Sequence, residues 1–354
     1  MNQKLLFLSL GLVLYTGAMC RGQERTYLLR TIAFYNLENL FDTINDPEVL
    51  DDDYTPNGAY QWDRKRYELK IERLAEAILS IGAEAGNHPP DILGVCEAEN
   101  YRVLSDLANH EILTPFEYGI IHRDGPDERG IDVALLYRKG SFSPVSMKWH
   151  TLLIRNEERY WEYTREQLVV HGYMDGLPIY LLVNHWPSRR GGEQRSRPFR
   201  IAAAELNLRI IDSIRKITPE PMIIAMGDFN DNPTDYSFRK VMKVKKDVVN
   251  TGLNELFSPM VALFREGVGS LAYRDSWSLF DQVYMSGNLA TGEKPLRFWK
   301  AGIHAPPNLV QKRGLYKGYP FRTFVSGRYT GGYSDHFPVY AYFLKEVNAL
   351  FRND

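Results

Sequence analysis

Cysteine is nearly absent from this sequence: its 354 residues hold two, Cys20 and Cys96. A disulfide framework is therefore excluded as the organising device, and a chain of this length can build a core large enough to do without one. Net charge is also missing. With 43 basic and 44 acidic residues the formal charge is −1, so no global field draws in a polyanion, and a nucleic-acid role requires a local basic patch. No stretch approaches about 18 uninterrupted apolar residues, which excludes a membrane-spanning helix. No repeat is visible and no Pro/Gly/Ser linker divides the chain, so the sequence reads as one domain. There is no Gly-x-Ser-x-Gly, hence no nucleophile elbow. Cys96, inside Ile92-Leu93-Gly94-Val95-Cys96, reads as a small buried strand residue and not as a reactive thiol.

What is present is ordinary globular usage, 44% hydrophobic and 25% charged, preceded by a short leader. Residues 1–22 carry Lys4 and Arg21, no acid, and an apolar run from Leu5 to Tyr15. A positive start, a short apolar core and small residues after it describe a secretory signal cleaved after Gly22. Residues 23–354 then form the mature chain, exported to the periplasm or secreted. Lipid attachment at Cys20 is the alternative, for which Met19 is a poor fit. Removing the leader leaves 41 basic against 44 acidic residues, a net charge of −3.

Apolar runs of four to seven residues recur at Thr31–Tyr35, Ile92–Cys96, Val133–Tyr137, Ile179–Val183, Met222–Met226 and Phe337–Phe343. They read as strands, several buried on both faces. Helical period appears over 66–81, with Tyr67, Ile71, Leu74, Ala75 and Ile78 on one face. It appears again over 197–216, with Phe199, Ala202, Leu206, Ile210 and Ile214 on one face and Ser196 and Pro198 as start signals. Segments 41–63 and 301–333 read as long loops of the kind that border binding sites. Mixed elements of this sort suggest stacked sheets covered by helices.

Polar residues cluster where these runs end. Asn36 and Glu38 follow Thr31–Tyr35, and a spacing of two on a strand puts both on one face, where an amide and a carboxylate can bind a hard cation or phosphate oxygen. The same pair also reads as a strand-end turn. Glu97 emerges directly from a buried run, which is unfavourable unless the carboxylate is paired or metal-bound; it reads equally as a helix N-terminal acid, the reading preferred for Glu99. His185, Arg189 and Arg190 share one loop with Gly191 and Gly192, a combination suited to phosphate, or else a solvated basic loop. In Gly227-Asp228-Phe229-Asn230 an aspartate leaves the core where it can act on a water that the amide orients. A turn built of Asp, Asn and Pro is the plainer reading there. Asp335 and His336 are adjacent and face opposite ways if extended, so His336 needs another carboxylate to orient it, and Asp281 is the candidate.

Taken in order, Asn-x-Glu, Glu97, Asn-His, Gly-Asp-Phe-Asn, a late Asp and Ser-Asp-His resemble the endonuclease/exonuclease/phosphatase superfamily, whose members are deoxyribonuclease-like. The resemblance covers about residues 28–345. It implies an α+β fold, a four-layer α/β/β/α sandwich with two mixed sheets packed face to face. It further implies a metal-dependent phosphoester hydrolase. Glu97 would be the main metal carboxylate, joined by Glu38 or Asp335, holding Mg²⁺ or Mn²⁺. Asn36, His185, Asp228, Asn230, Asp281 and His336 would be catalytic. Arg189 and Arg190 lie outside the superfamily core and are assigned to substrate contact. A monomer with no stable protein partner is expected. Nucleic acid is favoured over lipid on the basic runs Arg239–Lys246 and 294–328. A sphingomyelinase-like or inositol-phosphate esterase is the alternative, and a non-catalytic secreted binding module on the same scaffold is a third reading. The lipid reading requires an exposed aromatic element at the site, for which Trp277 and Trp299 are candidates.

Overall fold

The computed structural model of the chain describes residues 26–86, 88–155, 161–292 and 294–347. The leader expected over 1–22, with Cys20 and the cleavage point, lies outside the described residues. The order is β1 (Thr26–Leu40), α1 (Arg64–Ser80), β2 (Ile92–Ala98), α2 (Tyr101–Ala108), β3 (Tyr118–Ile121), β4 (Asp132–Arg138), β5 (Phe142–His150), β6 (Gln167–Met174), β7 (Leu177–His185), α3 (Glu193–Ile217), β8 (Ile223–Asp228), β9 (Leu256–Phe257), β10 (Asp281–Ser286), β11 (Leu296–Ile303) and β12 (Val339–Val347), with short hairpins and helical turns between them.

Two six-stranded mixed sheets result. The first runs β11-β12-β1-β2-β4-β3 and the second β9-β10-β8-β7-β6-β5. Each contains a parallel pair, β1 with β2 and β7 with β8, flanked by antiparallel neighbours. Side-chain alternation builds the layers. In β1, Ile32 and Phe34 point between the sheets, where they meet Met226, Val183 and Val283. Ala33, Tyr35 and Leu37 point the other way, against Ile71, Leu74 and Ile78 of α1 and Val103, Leu104 and Leu107 of α2. α3 covers the outer face of the second sheet through Ala203, Ala204, Ile210, Ile211 and Ile214. The α/β/β/α sandwich expected from the sequence is the fold observed.

Two local readings need correction. α3 begins at Glu193, a turn before the expected start, with Gly192 at its N-cap in a φ of 107° that favours glycine. Ser196 Oγ instead donates to Gly192 O at 2.8 Å, and Pro198 lies inside the helix. The buried stripe of α3 departs from the expected one in its first half: Ile210 and Ile214 are buried as expected, but Arg200, Ala203, Ala204 and Asn207 are buried where Phe199, Ala202 and Leu206 are only partly so. A polar Arg200 and Asn207 at the centre of the face hid it from an apolar-period reading. Similarly, the final strand starts at Val339 rather than Phe337.

At Gly94 the interlayer leaves no room for a side chain: a Cβ would stand 2.7 Å from Met226 Sδ of the facing sheet and 3.3 Å from Phe34 Cδ2. Gly94→Ala therefore forces a repacking of the interlayer that costs about 1–3 kcal/mol. Thermal unfolding will show a Tm several degrees lower; an unchanged Tm would show that the interlayer is not closely packed there.

Candidate active site

The two parallel pairs end at the same edge of the sandwich, and their last residues meet there. Asp228 is opposite His185 across the β7/β8 pair and opposite Asp281 across β8/β10. Asn36 is opposite Cys96 at the end of the β1/β2 register, which then shifts. At this mouth the backbone turns left-handed at Glu38, Asn39, Glu97 and Asn230, with φ of 51–62°. Such conformations are costly for residues with a Cβ and persist where the surroundings over-determine them.

Asn36 reaches across the interlayer, its Nδ2 donating to Asp228 Oδ2 at 3.2 Å and Glu97 Oε1 at 3.3 Å. Glu97 also accepts from Asn39 N at 2.9 Å. Asn230 N donates to Asp228 Oδ1 at 3.0 Å, and Asn230 Nδ2 donates to Trp186 O at 3.0 Å. Burial, then the nearby charge of Asp281, pushes the Asp228 carboxyl up to about 7. On the far side His336 Nδ1 stands 2.6 Å from Asp281 Oδ2, which also accepts from Ser270 Oγ at 2.5 Å. The orienting carboxylate expected for His336 is thus in place. Burial works against the charged imidazole of His336, but Asp281, Asp335 and Asp228 outweigh it and hold its pKa well above the ordinary value. His185 is the opposite case: burial, then Arg165 and Arg129, hold it well below. Two buried histidines on either side of Asp228 therefore differ in charge near neutral pH, one an imidazolium and one a neutral ring.

Asp335 and His336 precede the last strand, as expected, but they are not extended. The chain bends at 335 and 336, tied by Ser334 Oγ to Asn36 O at 2.7 Å, so Asp335 Oδ1 comes within 3.9 Å of His336 Nε2 and Asp335 Oδ2 within 3.8 Å of Arg322. Nor do Asn36 and Glu38 share a face. The left-handed turn at Glu38 ends the alternation, and its Oε2 accepts from Thr323 N at 2.6 Å while lying 3.8 Å from Lys70 Nζ. Arg189, expected at the substrate, is spent on its own chain. It donates to Asn230 O at 2.8 Å and Glu193 at 2.9 Å, pairs with Asp235 at 2.6 Å and Asp231 at 3.3 Å, and lies over the Phe280 ring. It fixes the Asn230 turn. Arg190 beside it is exposed. Glu99 stands at the N-terminus of α2, one residue before the cap, as expected; Asn100 makes the cap, accepting from Val103 N at 3.1 Å, and the Glu99 carboxylate accepts from Asp42 N at 2.6 Å. Cys96 is buried as expected, and burial raises its thiol further.

Three buried residues at the site were not expected. Arg165 donates to Asp127 at 3.1 Å, to Trp186 O at 3.0 Å and to His185 Nε2 at 3.4 Å. Arginine only donates, so the neutral His185 ring carries its proton on Nδ1. Arg165 precedes β6, which runs antiparallel to β7, and a charge at the start of such a strand lands beside the end of its partner. Ser270 reaches the site from the position just before the 271–278 hairpin. Lys70 sits in the apolar face of α1, donating to Thr323 Oγ1 and Tyr333 O, each at 2.7 Å. Burial pushes Lys70 down and, with the Asp335 charge, pushes Glu38 up to about 7. Lys70→Ala leaves the Glu38 carboxylate buried without its cation and is expected to destabilise the fold by about 3–5 kcal/mol. The pair Lys70→Met with Glu38→Gln should recover most of that loss in urea unfolding. If it does not, Lys70 supports the fold by packing alone.

The donor set fits a hard divalent cation. Glu97, Asp335 and Glu38 offer carboxylate oxygen, whereas the one thiol among the described residues is buried and protonated. Asp228, Asp281 and His336 bring ligand atoms within 4.8 Å of one another, as do Cys96, His185 and Asp228, so Asp228 is the hub of the acid cluster.

The profile of the Endonuclease/Exonuclease/phosphatase family matches residues 31–345. No curated protein matches the chain. Among solved structures, TDP2 from C. elegans superposes with a TM-score of 0.54 at 17% identity, covering 91% of this chain and 77% of that one. Humanized D. rerio TDP2 gives 0.52 at 16%, covering 89% and 98%. An endonuclease/exonuclease/phosphatase family protein from Bacteroides thetaiotaomicron gives 0.51 at 18%, covering 91% and 100%. At these identities the structural likeness bears on the fold.

Proposed function

The chain belongs to the endonuclease/exonuclease/phosphatase family and is a metal-dependent phosphoesterase, and from that premise we propose that it hydrolyses phosphodiester bonds in nucleic acid outside the cytoplasm. The observation that carries this reading is the convergence of Asn36, His185, Asp228, Asn230 and the Asp281–His336 pair on one mouth between the sheets. Glu97, with Asp335 or Glu38, would hold Mg²⁺ or Mn²⁺, which supplies Lewis-acid polarisation of the phosphate and of the leaving oxygen. Asp228, poised near neutrality, aligns and deprotonates the attacking water. His336, kept protonated by Asp281, donates to the phosphate oxygens as their charge grows, while Asn36 and Asn230 hold Asp228 in place. Every ionisable position the reaction needs is filled, which favours an enzyme over a binding module.

Nucleic acid is supported by the aromatic wall next to Glu38 and Thr323. Tyr54, Tyr60, Phe324 and Tyr329 are half-buried and pack against one another in tilted and edge-on contacts, with centroids 4.6–6.4 Å apart. Such faces accept bases without sequence preference. D. rerio TDP2 is complexed with a single strand DNA product in its own structure. The basic run at 239–246 supports the reading less, because Lys245 and Lys246 pair with Glu255 and Asp247. One observation favours a lipid phosphodiester instead: the 271–278 hairpin exposes Tyr273 and Trp277, and Trp277 stacks on Phe337, next to His336. Export rests on the leader-like residues 1–22. Among the described residues no helix is long and apolar enough to cross a membrane.

The test is a panel on the chain from Gln23, with Mg²⁺, Mn²⁺ or EDTA, against plasmid DNA, single-stranded DNA, RNA, sphingomyelin and inositol phosphates. Cation-dependent cleavage of a nucleic acid that EDTA abolishes is expected. Cleavage confined to sphingomyelin or to inositol phosphates would overturn the nucleic-acid reading.

A further inference from the structure

Away from Asp228, one other cluster among the described residues joins an imidazole to carboxylates: His122, Asp124 and Asp132. His122 follows β3 and Asp132 opens β4, so the connecting loop folds back to bring them together. One ligand atom from each lies within 4.8 Å of the other two. The His122 side chain is 1% exposed, and its Nε2 is buried without a hydrogen-bond partner, 3.6 Å from Asp132 Oδ2. That separation is too long for a hydrogen bond. It matches the edge of a tetrahedron, about 3.3–3.6 Å, whose corners stand at zinc–ligand distances from a central ion. Asp124 Oδ1 stands nearest the other ring nitrogen, 3.9 Å from His122 Nδ1, and has to swing round the ring edge to reach an ion held at Nε2. The loop is wrapped tightly round the inner carboxylate: Gly125 N donates to Asp132 Oδ2 at 3.0 Å, and a Cβ on Gly125 would stand 2.3 Å from Asp132 Oδ1. Asp124 is 83% exposed, which leaves a path from solvent and a side chain able to rotate onto an ion.

We propose that His122, Asp124 and Asp132 form a second divalent-cation site, separate from that of Glu97, which takes a borderline transition ion such as Zn²⁺ or Co²⁺ and completes its coordination with water. The nitrogen donor selects against Mg²⁺ and Ca²⁺, which prefer oxygen alone. The ion fastens the 122–132 loop beside the catalytic mouth. Asp132 is opposite Ala98, the residue after Glu97, and the same loop carries Asp127, which holds Arg165 against His185.

The test uses the full mature chain stripped with EDTA, in a Glu97→Gln background that disables the catalytic site, titrated with Co²⁺ by visible absorption and with Zn²⁺ by calorimetry. One equivalent should bind, with the visible bands of low-coordinate Co²⁺. Adding His122→Gln should abolish those bands. Adding Asp124→Asn, at an exposed position that leaves the fold intact, should weaken binding about tenfold or more. Failure of the Glu97→Gln chain to bind, or unchanged affinity in either added variant, overturns the assignment. None of these readouts depends on turnover, so the result stands apart from the phosphodiesterase reading.

Discussion

Asp228→Asn will lower kcat for metal-dependent phosphodiester hydrolysis by about 10³-fold, the middle of the range for loss of a general base, while leaving Tm at pH 7 little changed. Both halves of that expectation come from burial. The carboxyl sits among Asn36, Asn230, His185 and Asp281 and is pushed up to about 7, so it accepts a proton from water at neutral pH, which an amide does not. Asparagine keeps an oxygen for Asn230 N and loses only the bond from Asn36. It also removes a buried like charge beside Asp281. The sign of the pH dependence follows. A carboxyl whose folded pKa is raised contributes stability that is present below its unfolded value and lost as pH rises through about 7. The metal-free Asn variant should therefore gain stability relative to the parent as pH rises from about 4 to about 7, with the difference levelling off above 7. The parent's rate should fall as pH drops below 7. Turnover within tenfold of the parent would remove Asp228 from the base role.

Asp281→Asn should be at least as damaging to rate, about 10³–10⁴-fold in kcat, and unlike Asp228→Asn it should also lower Tm. Asp281 Oδ2 accepts from both Ser270 Oγ and His336 Nδ1. An amide in its place cannot accept as strongly from both and presents N–H groups to a donor, so the imidazolium loses the partner that keeps it charged. His336 is held well above its ordinary pKa; that stabilisation is present below the unfolded value of about 6.5 and is lost as pH rises through the folded one. The Tm gap between parent and variant should accordingly be widest in mild acid and shrink at alkaline pH. The variant's rate should decline with rising pH earlier than the parent's. A parallel pH–rate profile at reduced kcat would mean that Asp281 only packs the site.

The positions at strand ends were readable in the sequence because a buried run followed by an acid or amide is unfavourable without a partner. Glu97, Asp228 and the Asn36 amide all announced themselves in this way. So did the need of His336 for a carboxylate. What escaped was set by contacts distant in sequence. Lys70 lies within a helix whose apolar period looked complete, and its reason for being there, Thr323 and Glu38, comes from two other segments. Arg165 belongs to the site only because β6 runs antiparallel to β7, an order that hydrophobic pattern alone does not specify. Glu38 was misplaced because the left-handed turn that ends the alternation depends on the Thr323 loop. Arg189 looked like a ligand-reading residue, yet Asp231 and Asp235, a few residues past the motif, claim it.

The reacting groups are divided between the two sheets. Asn36, Glu97 and His336 belong to the first; His185, Asp228 and Asp281 belong to the second. Two bonds stitch the halves at the mouth, Asn36 to Asp228 at 3.2 Å and His336 to Asp281 at 2.6 Å. The first sheet is assembled from both ends of the described chain and the second from its middle. Neither sheet alone holds a competent set. Turnover is thus a gauge of how the two sheets are seated on each other. A cavity opened deep in the interlayer, at Met226 or Phe34, lets the sheets slide and detunes the chemistry at conditions where the fold is still intact.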